Sequence, residues 1–265
     1  MSLIEIHDLT KTFGPVTAVD HLNLAIENGE TFGLLGPNGA GKTTTLKMLT
    51  TLLPPTSGSA TIAGLDVARK ADRVRRLIGY VPQMLSADGT LTGYENLLVF
   101  ARLYDIPRRE CEGRVRDALD FMNLGDSADK MVREYSGGMI RRLEIAQSML
   151  HRPPLLFLDE PTVGLDPGAR RAVWEHIEHL RREFGITILL TTHLMEEADV
   201  LCDRVAIMHH GKLVASGDPD DLKSQVGGEE TTLDDVFIHF TGDELNSGGS
   251  YRETSRTRRT ARRLG

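Results

Sequence analysis

Short apolar runs separated by turn residues predict β-structure at the start of the chain. Residues 3–6, 22–26 and 31–35 are strand-like in length and composition, and they are interrupted by turn-forming residues at 14–15 and 28–29. We therefore expect the chain to begin with part of a sheet.

Helical patterns follow this β-rich start. Residues 42–53 come after a glycine-rich turn and stop before two prolines, which predicts a helix, and residues 77–81 predict another strand. From about residue 90 to residue 152, apolar side chains recur at a spacing of three to four, which is typical of helices packed on one face. We interpret this stretch as a helical insertion.

Strands return in the second half of the chain and differ in character from the first ones. Residues 155–158, 186–190 and 205–208 are almost wholly apolar, and a helix is predicted between the first two at residues 169–183. Apolar strands that alternate with helices are typical of a parallel sheet covered on both faces. The pattern thus predicts an α/β core.

Composition supports a folded globular protein whose charge is unevenly distributed. The chain has 265 residues, of which 40% are hydrophobic and 26% charged, values that exclude wholesale disorder. The net charge of −7 argues against a general nucleic-acid binder. Residues 250–265 nevertheless contain six arginines and one glutamate, so a basic tail follows an acidic body.

Three classes of protein are disfavoured by simple sequence features. The longest uninterrupted apolar run, residues 97–101, has five residues, far short of the roughly 20 that cross a bilayer. The first residues lack the basic and apolar blocks of a signal peptide, so we expect a cytosolic chain. The two cysteines, Cys111 and Cys202, have no metal-ligand spacing, and a reducing compartment would keep them as thiols.

Residues 36–43 form a candidate phosphate-binding loop. They read Gly-Pro-Asn-Gly-Ala-Gly-Lys-Thr between a predicted strand and a predicted helix, which is the context this motif requires. Glycines let successive backbone N–H groups and the helix start converge on an anion. Lys42 would then bridge the outer phosphates and Thr43 would ligate Mg²⁺. The alternative is an ordinary glycine-rich turn.

Two acids end the apolar run at residues 155–158. Because a strand buried on both faces ends at the sheet edge where ligands bind, Asp159 is a candidate for holding Mg²⁺ directly or through water. Glu160 is a candidate general base for an attacking water. Taken alone, the pair could be an ordinary solvated loop, but its position in a chain with a phosphate loop favours the catalytic interpretation.

A second candidate anion site lies at residues 135–139, Tyr-Ser-Gly-Gly-Met. Ser136 is a predicted helix N-cap, and Gly137 and Gly138 leave backbone N–H groups uncovered. The alternative for this segment is a capped helix with no further role.

These segments occur together in an order that resembles the ATP-binding subunit of an ATP-binding-cassette (ABC) transporter. The resemblance covers essentially residues 3–242, and five segments carry it. They are the phosphate loop at 36–43, the signature at 135–139, the acidic strand end at 155–161, Gly-Leu-Asp at 164–166, and Thr-His at 192–193.

The resemblance implies roles for individual residues. Gln83 would sense Mg²⁺ and the attacking water, His193 would contact the γ-phosphate, and Phe13 would stack on adenine where the family usually has Tyr. Alone, the first two could be polar strand-end groups, and Phe13 could belong to the core. The ATP-binding residues implied are Gly36, Pro37, Asn38, Gly39, Ala40, Gly41, Lys42, Thr43, Thr44, Ser136, Gly137 and Gly138.

The signature variant and the C-terminal segment point to a subfamily. YSGGM followed by Arg-Arg-Leu-Glu-Ile-Ala, together with residues 232–237, resembles drug-export ATPases of the daunorubicin/doxorubicin-resistance type. The implied fold is that of a P-loop NTPase cassette, with a mixed core sheet, an N-terminal antiparallel β part and a helical subdomain at about 90–152. We expect the ATP-binding domain to span residues 1–242 and a flexible basic tail to span 243–265.

The resemblance also implies partners. In the family, two cassettes meet head to tail with ATP between them, so we expect a second cassette, most simply a second copy of this chain. A separate transmembrane permease would hold the chain at the cytoplasmic face of the membrane, with no nucleic-acid partner. The alternatives are a soluble cassette of translation or DNA maintenance, disfavoured because the chain has neither two cassettes nor a long coiled-coil insertion, and a module that binds ATP without hydrolysing it.

Overall fold

Two β-sheets and the helices packed on them form the part of the chain that the computed structural model describes, residues 2–227 and 230–242. The strands are β1 Ser2–Phe13, β2 Val16–Glu27, β3 Thr31–Leu35, β4 Ser57–Ile62, β5 Leu65–Asp66, β6 Ile78–Val81, β7 Leu155–Asp159, β8 Thr187–Thr192, β9 Arg204–His209 and β10 Lys212–Gly217. The helices are α1 Lys42–Leu49, α2 Ala71–Arg75, α3 Gly93–Leu103, α4 Arg108–Phe121, α5 Gly137–Met149, α6 Pro167–Phe184, α7 Met195–Leu201, α8 Pro219–Val226 and α9 Leu233–Thr241. The predicted tail, residues 243–265, lies outside the described residues.

The first sheet is antiparallel and confirms the predicted β-rich start. Its strand order is β2-β1-β4-β5, and β1 pairs with β2 through a long hairpin in which Ile4 lies opposite Ile26. Both strands are longer than their apolar runs predict, because polar residues lie between and beyond the buried apolar positions of each strand.

The second sheet is mixed and forms the α/β core. Its order is β10-β9-β3-β8-β7-β6, with β10 antiparallel to β9 and the other neighbours parallel. Every residue of β3, β7 and β8 is buried, which confirms a sheet covered on both faces. The carboxyl ends of five parallel strands therefore meet at one edge, where ligands bind in sheets of this kind.

The predicted helical stretch contains three helices, α3, α4 and α5, between β6 and β7. A capping box starts α3, in which Thr92 and Glu95 satisfy each other's backbone N–H groups. Leu97, Val115 and Leu143, one residue from each helix, are fully buried in the same cluster. Apolar positions spaced three to four apart thus form a common core among these helices.

Other details differ from the sequence prediction. The helix predicted at 42–53 ends at Leu49, because Thr51 adopts a left-handed backbone with φ 65° that a helix cannot continue through. β10, α8 and α9 follow the last predicted strand and were not predicted. None of the helices within residues 2–227 and 230–242 combines the length and apolar character needed to span a bilayer.

Candidate functional site

The loop between β3 and α1 has the backbone of an anion-binding turn. Gly36 and Gly41 have φ values of 148° and 108°, in the region that side chains disfavour. A Cβ on Gly36 would lie 2.2 Å from the carbonyl oxygen of Met208, and one on Gly41 would lie 2.5 Å from that of Ala18. Gly41 also cannot cap α1 with a side chain, so the first N–H groups of this helix are left for a ligand.

Lys42 is folded back onto this loop. Its Nζ donates to the carbonyl oxygens of Gly36 at 2.7 Å and Pro37 at 3.1 Å, and lies 3.3 Å from Oε1 of Glu160. The side chain is 4% exposed. Burial lowers the pKa of Lys42, and the nearby carboxylates of Glu160 and Asp159 offset only part of that effect. The ammonium group of Lys42 is thus buried beside the glycine-rich loop, where the oxygens of a bound phosphate chain would be new hydrogen-bond acceptors for it.

A carboxylate joins α1 to two strands of the core sheet. Oδ1 of Asp159, at the end of β7, accepts hydrogen bonds from the Thr43 hydroxyl at 3.0 Å and the Thr191 hydroxyl at 2.6 Å. Asp159 is buried, whereas Thr43 is partly exposed at the start of α1. A hydroxyl and a carboxylate in contact provide the oxygen donors that Mg²⁺ prefers, so these residues fit this metal.

Glu160 lies at the centre of the cluster. Its backbone is left-handed, with φ 49°, and its N–H donates to the carbonyl oxygen of Thr191 at 3.0 Å. Oε2 accepts from Nε2 of Gln83 at 3.2 Å and lies 3.3 Å from Nδ1 of His193. Burial raises the pKa of Glu160, but the nearby ring of His193 and the charge of Lys42 together hold it below its usual value. The carboxyl group is therefore ionised at neutral pH.

The side chains of this cluster come from four separate segments of the chain. They belong to the segments that follow β3, β6, β7 and β8, which all end at the same edge of the sheet. The predicted site residues in mutual contact are Lys42, Thr43, Gln83, Asp159, Glu160 and His193.

The other predicted residues of the phosphate loop surround this cluster at different depths. Ala40 is buried, Pro37 and Thr44 are partly exposed, and Asn38 and Gly39 are exposed at the tip of the loop. The exposed tip leaves one side of the loop open to a ligand.

Phe13 lies at the end of β1 and is 50% exposed, so a core position is wrong for this residue. Its ring lies 5.3 Å from Nζ of Lys11. An exposed aromatic face beside a strand end is available for stacking.

The signature segment lies apart from the cluster. Ser136 caps α5 as predicted, since its hydroxyl accepts from the N–H of Met139 at 3.3 Å. Ser136 and Gly137 are exposed, and a Cβ on Gly138 would lie 2.8 Å from that of Ala169 on α6. Within residues 2–227 and 230–242, no hydrogen bond or ion pair joins Ser136, Gly137 or Gly138 to the six residues in contact.

Comparison with known protein families agrees with this geometry. The ABC transporter family model matches residues 19–163, more than half of the chain. The chain belongs to the ABC transporter family.

Curated ABC relatives include drug-resistance proteins. The daunorubicin/doxorubicin resistance ATP-binding protein DrrA of Streptomyces peucetius is 46% identical over 224 residues, which cover 84% of this chain and 68% of that protein. The probable multidrug ABC transporter ATP-binding protein YbhF of Escherichia coli is 43% identical over 245 residues. That alignment covers 91% of this chain but only 42% of YbhF, so the chain spans less than half the length of that relative.

A solved ABC cassette has the same fold. It is a dimeric ATP-binding cassette in a post-hydrolysis state bound to ADP and Pi, 26% identical with a TM-score of 0.73. The match covers 81% of this chain and 98% of that structure. The predicted cassette fold and the resemblance to ATP-binding proteins of the drug-resistance type are therefore confirmed.

Two buried charged residues of this ABC cassette, one that contacts the site and one that lies behind it on α7, were not identified from sequence. Arg141 on α5 donates to the backbone carbonyls of Pro82 and Gln83, and Glu197 on α7 accepts from the hydroxyl of Thr162. Arg141 carried one usable signal, a charged side chain on the buried face of a helix. Glu197 carried none, because its partners come from distant segments.

Proposed function

We propose that this chain binds and hydrolyses ATP and thereby powers an exporter of drugs or other hydrophobic or amphipathic compounds. One observation carries the proposal: the ionised Glu160 is held by Gln83, His193 and Lys42 beside a glycine loop shaped for phosphate. The family, together with relatives named for drug resistance and multidrug transport, supports the export role.

ATP binding is assigned to the loop and the first turn of α1. Backbone N–H groups of residues 36–44 hold the phosphates, and Lys42 exchanges the carbonyls of Gly36 and Pro37 for phosphate oxygens. The exposed ring of Phe13 stacks on adenine. When Lys42 moves to the phosphates, its positive charge leaves the neighbourhood of Glu160. That carboxylate is then a stronger base when ATP is bound.

Mg²⁺ is assigned to Thr43, Asp159 and Gln83. The first two already share a hydrogen bond, and Gln83 reaches the same cluster through Glu160. When bound, the metal neutralises negative charge on the phosphate oxygens.

Hydrolysis is assigned to the residues in contact with Glu160. Glu160 accepts a proton from the attacking water, Gln83 orients that water, and His193 donates a hydrogen bond to the γ-phosphate. A general base of this kind typically contributes about 10²- to 10⁴-fold to the rate.

A second copy of this chain completes the site. Ser136 and Gly137 are exposed at the start of α5, Gly138 is buried behind them, and all three lie apart from their own chain's cluster, which leaves this helix start free to cap ATP held by a partner. They contact γ-phosphate only while ATP is intact, so hydrolysis removes the contact and the dimer opens.

A separate transmembrane permease is proposed as the other partner, with the cassette attached peripherally at the cytoplasmic face of the membrane. Met84 and Leu85 directly follow Gln83 and are 82% and 52% exposed, so two apolar side chains at the surface beside the Gln83 loop are available to a partner. We assign residues 1–242 to the ATP-binding domain, with 90–152 as its helical subdomain. The basic tail at 243–265 stays a prediction from composition.

The test combines two inactive variants with phosphate release as the readout. Lys42→Ala loses nucleotide binding, and Ser136→Arg keeps it but cannot cap a partner's ATP. Mixed together, they form one composite site with both halves intact, so hydrolysis returns above that of either variant alone. Absence of hydrolysis in the unmodified chain with ATP and Mg²⁺ contradicts the enzymatic assignment, and failure of the mixture to recover contradicts the shared site.

A further inference from the structure

A buried arginine on α5 binds the backbone carbonyl groups of two consecutive residues, Pro82 and Gln83. Arg141 is 2% exposed, and its two terminal nitrogens donate separately to the carbonyl oxygens of Pro82 at 2.7 Å and Gln83 at 2.8 Å. The planar guanidinium presents its N–H groups in a fixed fork, so two bonds to adjacent carbonyls define the orientation of that backbone segment.

Glu144 extends the same contact to the far side of the loop. One carboxylate oxygen lies 3.1 Å from the guanidinium of Arg141, and the other accepts hydrogen bonds from the backbone N–H and the hydroxyl of Ser86. Both members of this buried pair therefore bind the loop at residues 82–86. We call Arg141 and Glu144 together the loop clamp.

The loop clamp is poorly explained by stability alone. Both charged side chains are nearly fully buried, and a buried ion pair often stabilises a protein no more than an apolar pair of similar size. What an apolar pair cannot provide is a set of hydrogen bonds to the two carbonyls and to Ser86. The clamp therefore fixes the position of a loop that is otherwise exposed, since residues 83–86 are all exposed.

Gln83 links the clamped loop to the proposed reaction. Its carbonyl is held by Arg141 while its side-chain amide donates to Oε2 of Glu160 at 3.2 Å. The helix that supplies the clamp begins at the signature, directly after Ser136. One rigid helix thus connects the surface proposed to cap a partner's ATP with the residue proposed to orient the attacking water.

We infer that Arg141 is a positioning residue for Gln83. Through the loop clamp it sets the distance between the Gln83 amide and Glu160, and it makes that distance depend on the position of α5. The inference rests on the proposed ATP hydrolysis but concerns a residue to which that proposal gives no role.

A double-mutant cycle tests the inference with ATP hydrolysis by the full chain. Arg141→Lys keeps a positive charge beside Glu144 but cannot bind both carbonyls at once, so we expect kcat to fall about 10-fold with the KM for ATP unchanged. In the Gln83→Ala background the same substitution should cause little further loss, because the residue it positions is already gone.

Arg142→Lys is the matched control. Arg142 is the next residue of the same helix and also donates to backbone carbonyls, but to those of Met122 and Asn123 at the end of α4 and not to the loop of Gln83. We expect kcat of this variant to stay close to that of the unmodified chain. An equal loss in Arg142→Lys, or a full 10-fold loss for Arg141→Lys in the Gln83→Ala background, overturns the inference.

Urea unfolding of each variant separates misfolding from mispositioning. If Arg141→Lys does not fold, the pair Arg141→Gln with Glu144→Gln replaces it in the cycle, since this double change leaves no unpaired buried charge. The outcomes also separate the two proposals. An unmodified chain that hydrolyses ATP while the cycle is additive refutes only the positioning role, whereas an inactive unmodified chain refutes the proposed function itself.

Discussion

Glu160 and Glu197 are both buried glutamates near the carboxyl edge of the core sheet, yet their surroundings differ in charge. Glu160 is surrounded by Lys42, His193 and the amide of Gln83. Glu197, on α7, is fully buried, and its Oε1 accepts from the hydroxyl of Thr162 at 2.6 Å and the indole N–H of Trp174 at 3.0 Å. The first site contains the buried ammonium of Lys42, and the hydrogen-bond donors of the second are neutral.

The difference in surroundings shifts the pKa values of Glu160 and Glu197 in opposite directions. Burial raises the pKa of Glu197, and hydrogen bonds from Thr162, Thr192 and Trp174, together with the charge of Arg170, only reduce that rise. For Glu160 the nearby ring of His193 and the charge of Lys42 outweigh burial and lower the pKa. Neutral donors satisfy a carboxyl oxygen but do not compensate a full buried charge, whereas a nearby cation does.

The two glutamates are therefore suited to different tasks. An ionised carboxylate beside a phosphate loop can accept a proton, as a general base must. A carboxyl group held by neutral donors is better suited to joining chain segments, and Glu197 joins α7 to Thr162 in the loop after β7 and to Trp174 on α6. Burial alone does not distinguish a base from a structural acid; the charge of the neighbouring groups does.

The largest expected effect is on turnover. Glu160→Gln keeps the shape of the side chain but removes the proton acceptor, so we expect phosphate release to slow at least about 100-fold while nucleotide binding remains. Glu197→Gln is the matched control, because an amide keeps an acceptor for Thr162 and Trp174. Its turnover should stay close to that of the unmodified chain, and a comparable loss in both variants would erase the distinction between the two sites.

The next effect concerns stability. Glu197→Leu leaves the hydroxyl of Thr162 and the indole N–H of Trp174 without their acceptor, which should lower the free energy of unfolding by about 2 kcal/mol. Glu197→Gln should lose much less. Urea unfolding measures both, and equal stability of the Leu and Gln variants would show that these hydrogen bonds contribute little.

The fold and four of the six cluster residues, Lys42, Thr43, Asp159 and Glu160, could be predicted from local sequence signals, whereas Gln83 and His193 were expected only through the family resemblance. A glycine-rich loop before a helix, and an apolar run ending in Asp159 and Glu160, place functional groups at strand ends without knowledge of the partners. Since the carboxyl ends of parallel strands share one edge, the α/β pattern itself implies that these groups meet.

The loop clamp and Glu197 could not be predicted in the same way. Arg141 and Glu144 bind a loop more than 50 residues earlier in the chain, and Glu197 meets Thr162 across 35 residues and Trp174 across 23. No local pattern encodes such pairs, since a charged residue on a helix is usually solvated. Likewise, the early end of α1 depends on the left-handed conformation of Thr51, which the residue type does not predict.

A smaller effect should appear in the pH dependence of stability. The raised pKa of Glu197 gives a stabilising contribution that is complete below the ordinary value of 4.5 and is lost as pH rises through the folded-state pKa. The free energy of unfolding of Glu197→Gln, relative to that of the unmodified chain, should therefore rise above pH 4.5 by at most about 1.4 kcal/mol per pH unit. For Glu160 the sign reverses, because its contribution is present above pH 4.5 and is lost as pH falls through its lowered pKa.

Urea unfolding of Glu197→Gln and the unmodified chain at several pH values between 5 and 7 measures this difference. A free-energy difference that stays constant over the range would mean that Glu197 has the same pKa in the folded and unfolded chain. The contrast with Glu160 would then lose its electrostatic basis.

The smallest expected effect compares two buried threonines that donate equally short hydrogen bonds. Thr191 donates to Asp159 at 2.6 Å and Thr162 donates to Glu197 at 2.6 Å, and both side chains are fully buried. Substitution by valine keeps the shape and removes the donor, so each variant should lose about 1 kcal/mol of stability. Only Thr191→Val should also slow phosphate release, because the Thr191 hydroxyl helps to orient Asp159, a proposed metal ligand, and also accepts from the N–H of Glu160 at 3.1 Å. Equal turnover in the two variants would show that the hydroxyl of Thr43 alone suffices to orient Asp159.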